Sequence, residues 1–98
     1  MSKFVLIYHG GTSPANDEEK DIMMAAWGKW MEDTGEALID IGNPLGPPAS
    51  IGGTAADPAS GYSLIEAEDG DQAMALVKDH PMAKEDGARI DIYEAFNM

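Results

Sequence analysis

The side chains best suited to chemistry in this sequence are His9, His80, Asp40, Tyr8 and Tyr62. A histidine titrates near neutrality, so it can take up or release a proton during a reaction. A neighbouring carboxylate fixes the imidazole tautomer and stabilises its charged form. His80 with Asp40 is the pair such catalysis would use. Tyr62 or Tyr8 can donate a hydrogen bond to a developing oxyanion. His9 precedes Gly10-Gly11, which exposes backbone beside an imidazole, so His9, Tyr8 and Tyr62 form a candidate ligand-binding set. With no cysteine in the chain, thiol catalysis, thiolate metal sites and disulfides are excluded. The two histidines and Asp40 have the make-up of a two-His-one-carboxylate metal set, but their spacing is not diagnostic, and no metal or other cofactor is expected. Gly10-Gly11 and Gly52-Gly53 lack the pattern of a phosphate-binding loop.

Each candidate also has a purely structural role open to it. His80 can sit at a helix C-terminus, where positive charge is favoured. His9 can be an ordinary strand-end residue. Asp40 can be a structural hydrogen-bonder meeting a partner subunit.

The elements that must position these residues follow from hydrophobic pattern and local caps. Residues 4–8 form a short apolar run, rich in β-branched and aromatic side chains and stopped by Gly10, which predicts a strand apolar on both faces. Asn16 and Glu19 make a capping pair for a helix whose apolar face carries Met23, Ala26, Trp27, Trp30 and Met31, with Gly35 as its stop. Residues 36–41 read as a second strand, with Ala37, Ile39 and Ile41 on one face and Leu38 and Asp40 on the other. The Gly/Pro-rich stretch 43–60 is a long connection, with a short strand near Ser50-Ile51 as an option. Residues 62–67 are a third strand. Asp69 and Gln72 cap a second helix with Ala73, Met74, Leu76 and Val77 inward, ending near Pro81. Residues 89–96 alternate as a fourth strand.

This β-α-β-β-α-β order predicts an α+β, ferredoxin-like protomer with a four-stranded antiparallel sheet, one domain over residues 1–98. Its two helices cover one face of the sheet. The other face is mixed and needs a cover, which a second copy of the chain would supply as a dimeric α+β barrel. The alternative cover is the long loop. In this topology His9, Asp40, the long loop, Tyr62 and His80 all collect at one end of the sheet.

Charge narrows the partners. The formal net charge of −12 repels nucleic-acid backbones and anionic membranes, so neither is an expected partner. The run at residues 4–8 is too short for a signal-peptide core, and no stretch approaches the ~20 apolar residues of a membrane span. The expected location is cytoplasmic.

Several segments together are similar to the YCII-related (DGPF-like) family. They are the opening strand, Trp27-Gly28-Lys29-Trp30, the stretch from Gly35 to Leu45, the stretch from Gly61 to Ala67, His80-Pro81, and Ile90-Asp91-Ile92-Tyr93-Glu94. The resemblance implies a dimeric α+β barrel. Enzyme-like members resemble small-molecule enzymes using a His–Asp pair, a dehydrochlorinase among them; other members look like accessory modules of sigma factors. On that basis Asp40 and His80 are the transferred positions. The Asp-Gly-Pro-Phe tetrapeptide of one branch is missing, and residues 18–34 hold no counterpart of the helix histidine of enzyme-like members. The functional expectation is a lyase- or isomerase-type acid–base enzyme acting on a small molecule, with a non-catalytic small-ligand-binding or regulatory module as the alternative. Fold analogy alone adds a third idea, a haem- or oxygen-handling member of the same architecture.

Overall fold

The computed structural model describes residues 1–11 and 15–96. Four strands and two helices form in the expected order: β1 Ser2–His9, α1 Asp17–Thr34, β2 Leu38–Asp40, β3 Gly61–Ala67, α2 Gly70–Val77 and β4 Arg89–Ala95. Every pairing is antiparallel and the sheet order is β2-β3-β1-β4, the ferredoxin-like arrangement. The strand that is apolar on both faces, β1, occupies a central position between β3 and β4.

Both helices start where the capping residues stand. Asn16 Oδ1 accepts from the Glu19 N–H at 2.9 Å, while the Glu19 carboxylate accepts from the Ala15 N–H at 2.8 Å. Asp69 and Gln72 repeat the device, with Gln72 accepting from the Glu68 N–H. In both boxes the return bond lands one residue before the cap. α1 stops at Gly35, whose φ of 57° is open to a residue without Cβ.

The core lies between the helices and one sheet face. Phe4, Leu6 and Tyr8 of β1 face Trp30, Ala73 and Val77, with Ser63, Ile65 and Ala67 of β3 beside them. The Trp30 indole N–H donates to the Leu76 carbonyl at 3.0 Å and ties α1 to α2. The inward faces of the helices are narrower than the sequence pattern predicts. Ala26, Met31 and Met74 point to solvent, and Met23, Trp27, Trp30 and Thr34 form the inner line of α1. An α-helix against a sheet buries about a 100° stripe, so the flanking apolar positions remain outside.

β2 departs further. It is three residues long, because residues 35–37 form a 3-10 turn, and a register shift falls between Leu38 and Asp40. The extra residue breaks strict alternation. Leu38 and Ile41 both pack on the core, while Ile39 is largely exposed. No strand forms at Ser50-Ile51, and Ile51 is fully exposed. The loop does reach the open sheet face at Asp57, which pairs with His9 and Arg89.

Candidate functional site

A cavity of about 590 Å³ opens between the sheet and α1, at the end where β1 finishes and β3 begins. Tyr8, Trp27, Met23 and Met82 supply apolar wall, Tyr62 and Asn43 add polar groups, and Glu85 stands at the side. Gly10, Gly42 and Gly61 bring backbone close. The Asn43 amide donates to the Tyr62 hydroxyl at 3.4 Å, which orders one edge.

The wall is held from behind by a polar chain. The buried Tyr8 hydroxyl donates to Ser63 Oγ at 2.7 Å, and Ser63 Oγ donates to the Ile41 carbonyl at 2.5 Å. Burial pushes the Tyr8 phenol up to about 12, partly offset by the Ser63 hydrogen bond. Since its folded value lies above the ordinary value of 10, Tyr8 adds no pH-dependent term below that value. Stability then falls as pH rises from about 10 to 12, because the unfolded chain loses the proton first. An absorbance titration is expected to show a phenol ionising near pH 12 that disappears in Tyr8→Phe. No such component in the wild type would contradict this placement.

His80 is fully buried behind this wall, not in it. It ends the α2 connection and caps the 3-10 turn Pro81–Lys84: its Nδ1 accepts the Met82 N–H at 3.0 Å. The proton of the neutral ring therefore sits on Nε2, which has no conventional acceptor among the described residues. Three aromatic rings enclose the imidazole. Trp27 and Trp30 meet it at 4.4 Å in T-shaped geometry and Tyr8 at 5.0 Å, tilted. Such packing lets an N–H approach an aromatic face.

Burial alone lowers the His80 pKa to about 4; no carboxylate contributes. The expected pairing with Asp40 is thus not formed. Asp40 is exposed at the end of β2, and its Oδ1 accepts the Gly42 N–H at 2.9 Å, an Asx turn that opens the long loop. The physical reason is topological: His80 enters the layer between helices and sheet, while Asp40 stands at the outer edge strand.

The His80 shift has a sign that can be checked. In the unfolded chain the imidazole binds a proton below about 6.5, and in the fold only below about 4. Between those values the unfolded state holds more protons, so stability falls as pH drops through this window and is flat above it. The loss reaches about 3 kcal/mol near pH 4, from roughly 1.4 kcal/mol for each pH unit. Denaturant unfolding from pH 4 to 7 measures it, and an unchanged midpoint across that range would remove the argument. Asp57 and Asp91 are held below the usual carboxylate range, chiefly by hydrogen bonds to Arg89, so their loss comes at still lower pH.

His9 lies on the opposite sheet face from the cavity. Its Nε2 is 3.2 Å from Asp91 and its Nδ1 3.5 Å from Asp57, and Arg89 contacts both carboxylates. Sequence spacing pointed to no such cluster, because Asp57 comes from the long loop. Trp27 and Met82, both walls of the cavity, were likewise not among the expected ligand-binding residues; the periodicity of α1 marked Trp27 as core, and Met82 lies in a 3-10 turn without periodicity to read. Tyr8 and Tyr62 do line the cavity. His9 and His80 fall in different layers and do not form a joint set.

No family model matches the chain, and neither does any curated protein. Among solved structures it is similar to TftG, the 5-chloro-2-hydroxyhydroquinone dehydrochlorinase of Burkholderia phenoliruptrix AC1100, in complex with 2,5-dihydroxybenzoquinone. The TM-score is 0.53 at 18% identity, covering 91% of this chain and 90% of that one. At that identity the likeness is one of fold. No helix among the described residues is long and apolar enough to cross a membrane.

Proposed function

We propose that this chain binds a small organic molecule in the cavity beside Tyr8, Trp27 and Tyr62, and that it does so as a homodimer of the barrel type the YCII-related resemblance implies. The cavity carries the binding reading. Its volume of about 590 Å³ falls within the ~300–1,000 Å³ typical of ligand sites, and its wall is apolar with a few polar groups. TftG, with the same protomer fold, holds a single-ring quinone, a precedent for a ligand of this size on such a scaffold. His80 in this reading is a positioning residue: it props Trp27 and Tyr8 and does not touch the ligand.

The dimer reading rests on the open sheet face. Val5, Ile7 and Leu64 lie there half-buried and Tyr93 is largely exposed, an apolar surface without cover. The radius of gyration is 14.2 Å, against about 12.6 Å from the scaling for a compact chain of this length. The extended loop, with Ile51 fully exposed, accounts for part of the excess and offers further surface to a second copy.

A second reading, acid–base catalysis of lyase or isomerase type, is favoured by one observation: an imidazole, His9, flanked by Asp91 and Asp57. This is the His–carboxylate chemistry expected of His80 and Asp40, found at another place. Dimerisation over the open face would enclose it.

Ligand-observed NMR with a library of single-ring compounds tests the first reading. Hits that lose contact in Trp27→Ala are expected, and a library without any hit would end it. Analytical ultracentrifugation tests the dimer: wild type should sediment as a dimer at micromolar concentration and Ile7→Asp as a monomer. A monomeric wild type would refute that part. An identified turnover unaffected by His9→Ala would dispose of the second reading.

A further inference from the structure

The cavity is as distinctive in charge as in shape. Of its described lining residues, Glu85 alone is formally charged; lysine, arginine and histidine do not contribute to the lining. The chain as a whole carries −12, and a surface charge of one sign favours the approach of cations. Aromatic surface meets that recess from several sides. Tyr8 and Trp27 stand at 86° with centroids 5.6 Å apart in the lining, and Tyr62 also borders it. Met23 and Met82 add polarisable thioethers to the wall.

We infer that the cavity selects small organic cations, ammonium groups carrying methyl or other short apolar substituents, over neutral or anionic molecules of the same shape. This rests on the ligand-binding reading above and names its ligand class. A substituted ammonium spreads its charge over an apolar surface and gives up little hydration, so it gains from aromatic faces what a bare ammonium would lose. The Glu85 carboxylate acts on it through space and needs no direct bond, so its own contacts can remain. An anion would meet the Glu85 field with no countercharge in the wall. A neutral molecule would keep the packing and forgo the electrostatic part.

The test compares three probes on the wild-type protein: choline, its uncharged carbon isostere 3,3-dimethylbutan-1-ol, and benzoate. Binding is read by calorimetry and by quenching of indole fluorescence. Choline is expected to bind about tenfold more tightly than the isostere, with its advantage shrinking as salt is raised, and benzoate weakest. Glu85→Gln should cut choline binding several-fold and leave the isostere unchanged. Isostere or benzoate binding as tightly as choline would overturn the cation inference while leaving the binding reading intact. If none of the three binds at millimolar concentration, the inference falls; the single-ring library then decides the binding reading separately.

Discussion

Replacing His80 with alanine is expected to destabilise the protein by about 3 kcal/mol, a large share of the stability of a domain this size. Two losses add. The ring leaves a void among Tyr8, Trp27 and Trp30, which close packing at 4.4–5.0 Å leaves little room to refill. The Met82 N–H loses its acceptor in a buried place. That bond is also the cap of the 3-10 turn Pro81–Lys84. Two further variants separate these terms. His80→Phe restores volume but not the acceptor and should recover part of the loss. His80→Asn restores a capping acceptor but not the volume, and it also abolishes the pH dependence between about 4 and 6.5 assigned to this residue. The check is urea unfolding of all three at pH 7. An alanine variant as stable as wild type would mean that His80 is not a structural residue and would reopen a direct chemical role.

Gly42→Ala is expected to be nearly as damaging, at more than about 2 kcal/mol, although the residue is small and lies at the surface end of a short strand. Its φ is 78°, a region that side chains rarely adopt. A Cβ there would lie 1.7 Å from the Tyr62 carbonyl oxygen, so the backbone of β3 or of the loop must move. The move reaches the cavity, because Gly42 and Tyr62 both line it. Thermal unfolding should show the lost stability, and ligand-observed NMR a weakened cavity. Gly46→Ala, where an added Cβ meets nothing within 4 Å, is the control and should be near neutral. If the two alanine variants melt together, the close approach at Gly42 does not exist in solution.

The fold was largely legible in the chain, and particular residues say why. Helix caps at Asn16 and Asp69 are local devices, decided within three residues, and both form. The apolar run of β1 marks a central strand covered on two sides; it does lie between β3 and β4. Errors arose where a second element decides the outcome. Met74 and Met31 fit an inward stripe by spacing but stand outside it, since the width of the buried stripe depends on what it packs against. The bulge in β2 reversed the parity of Leu38 and Ile41 relative to strict alternation, and nothing in residues 36–41 announces it.

The site was legible in its parts and not in its groupings. Tyr8 and Tyr62 have the chemistry of ligand contacts, and both line the cavity. The topology brings His80 and Asp40 to one end of the sheet. Depth within the layers, not position along a strand, separates them: one is sealed beneath two indoles, the other turns the edge strand. His9 found carboxylates instead, one from β4 by strand register and one from a loop whose path has no periodicity to read.

By itself, then, the sequence determined the order and type of the elements, the starts of both helices, and the acidic surface, because caps, periodicity and charge act over a few residues or over the whole chain. Tertiary structure alone decided which imidazole is buried, which one meets carboxylates and which aromatic residues border open space. Those outcomes depend on contacts between segments tens of residues apart, where a shift of one residue in register or one layer in depth turns a proton donor into a prop for the core.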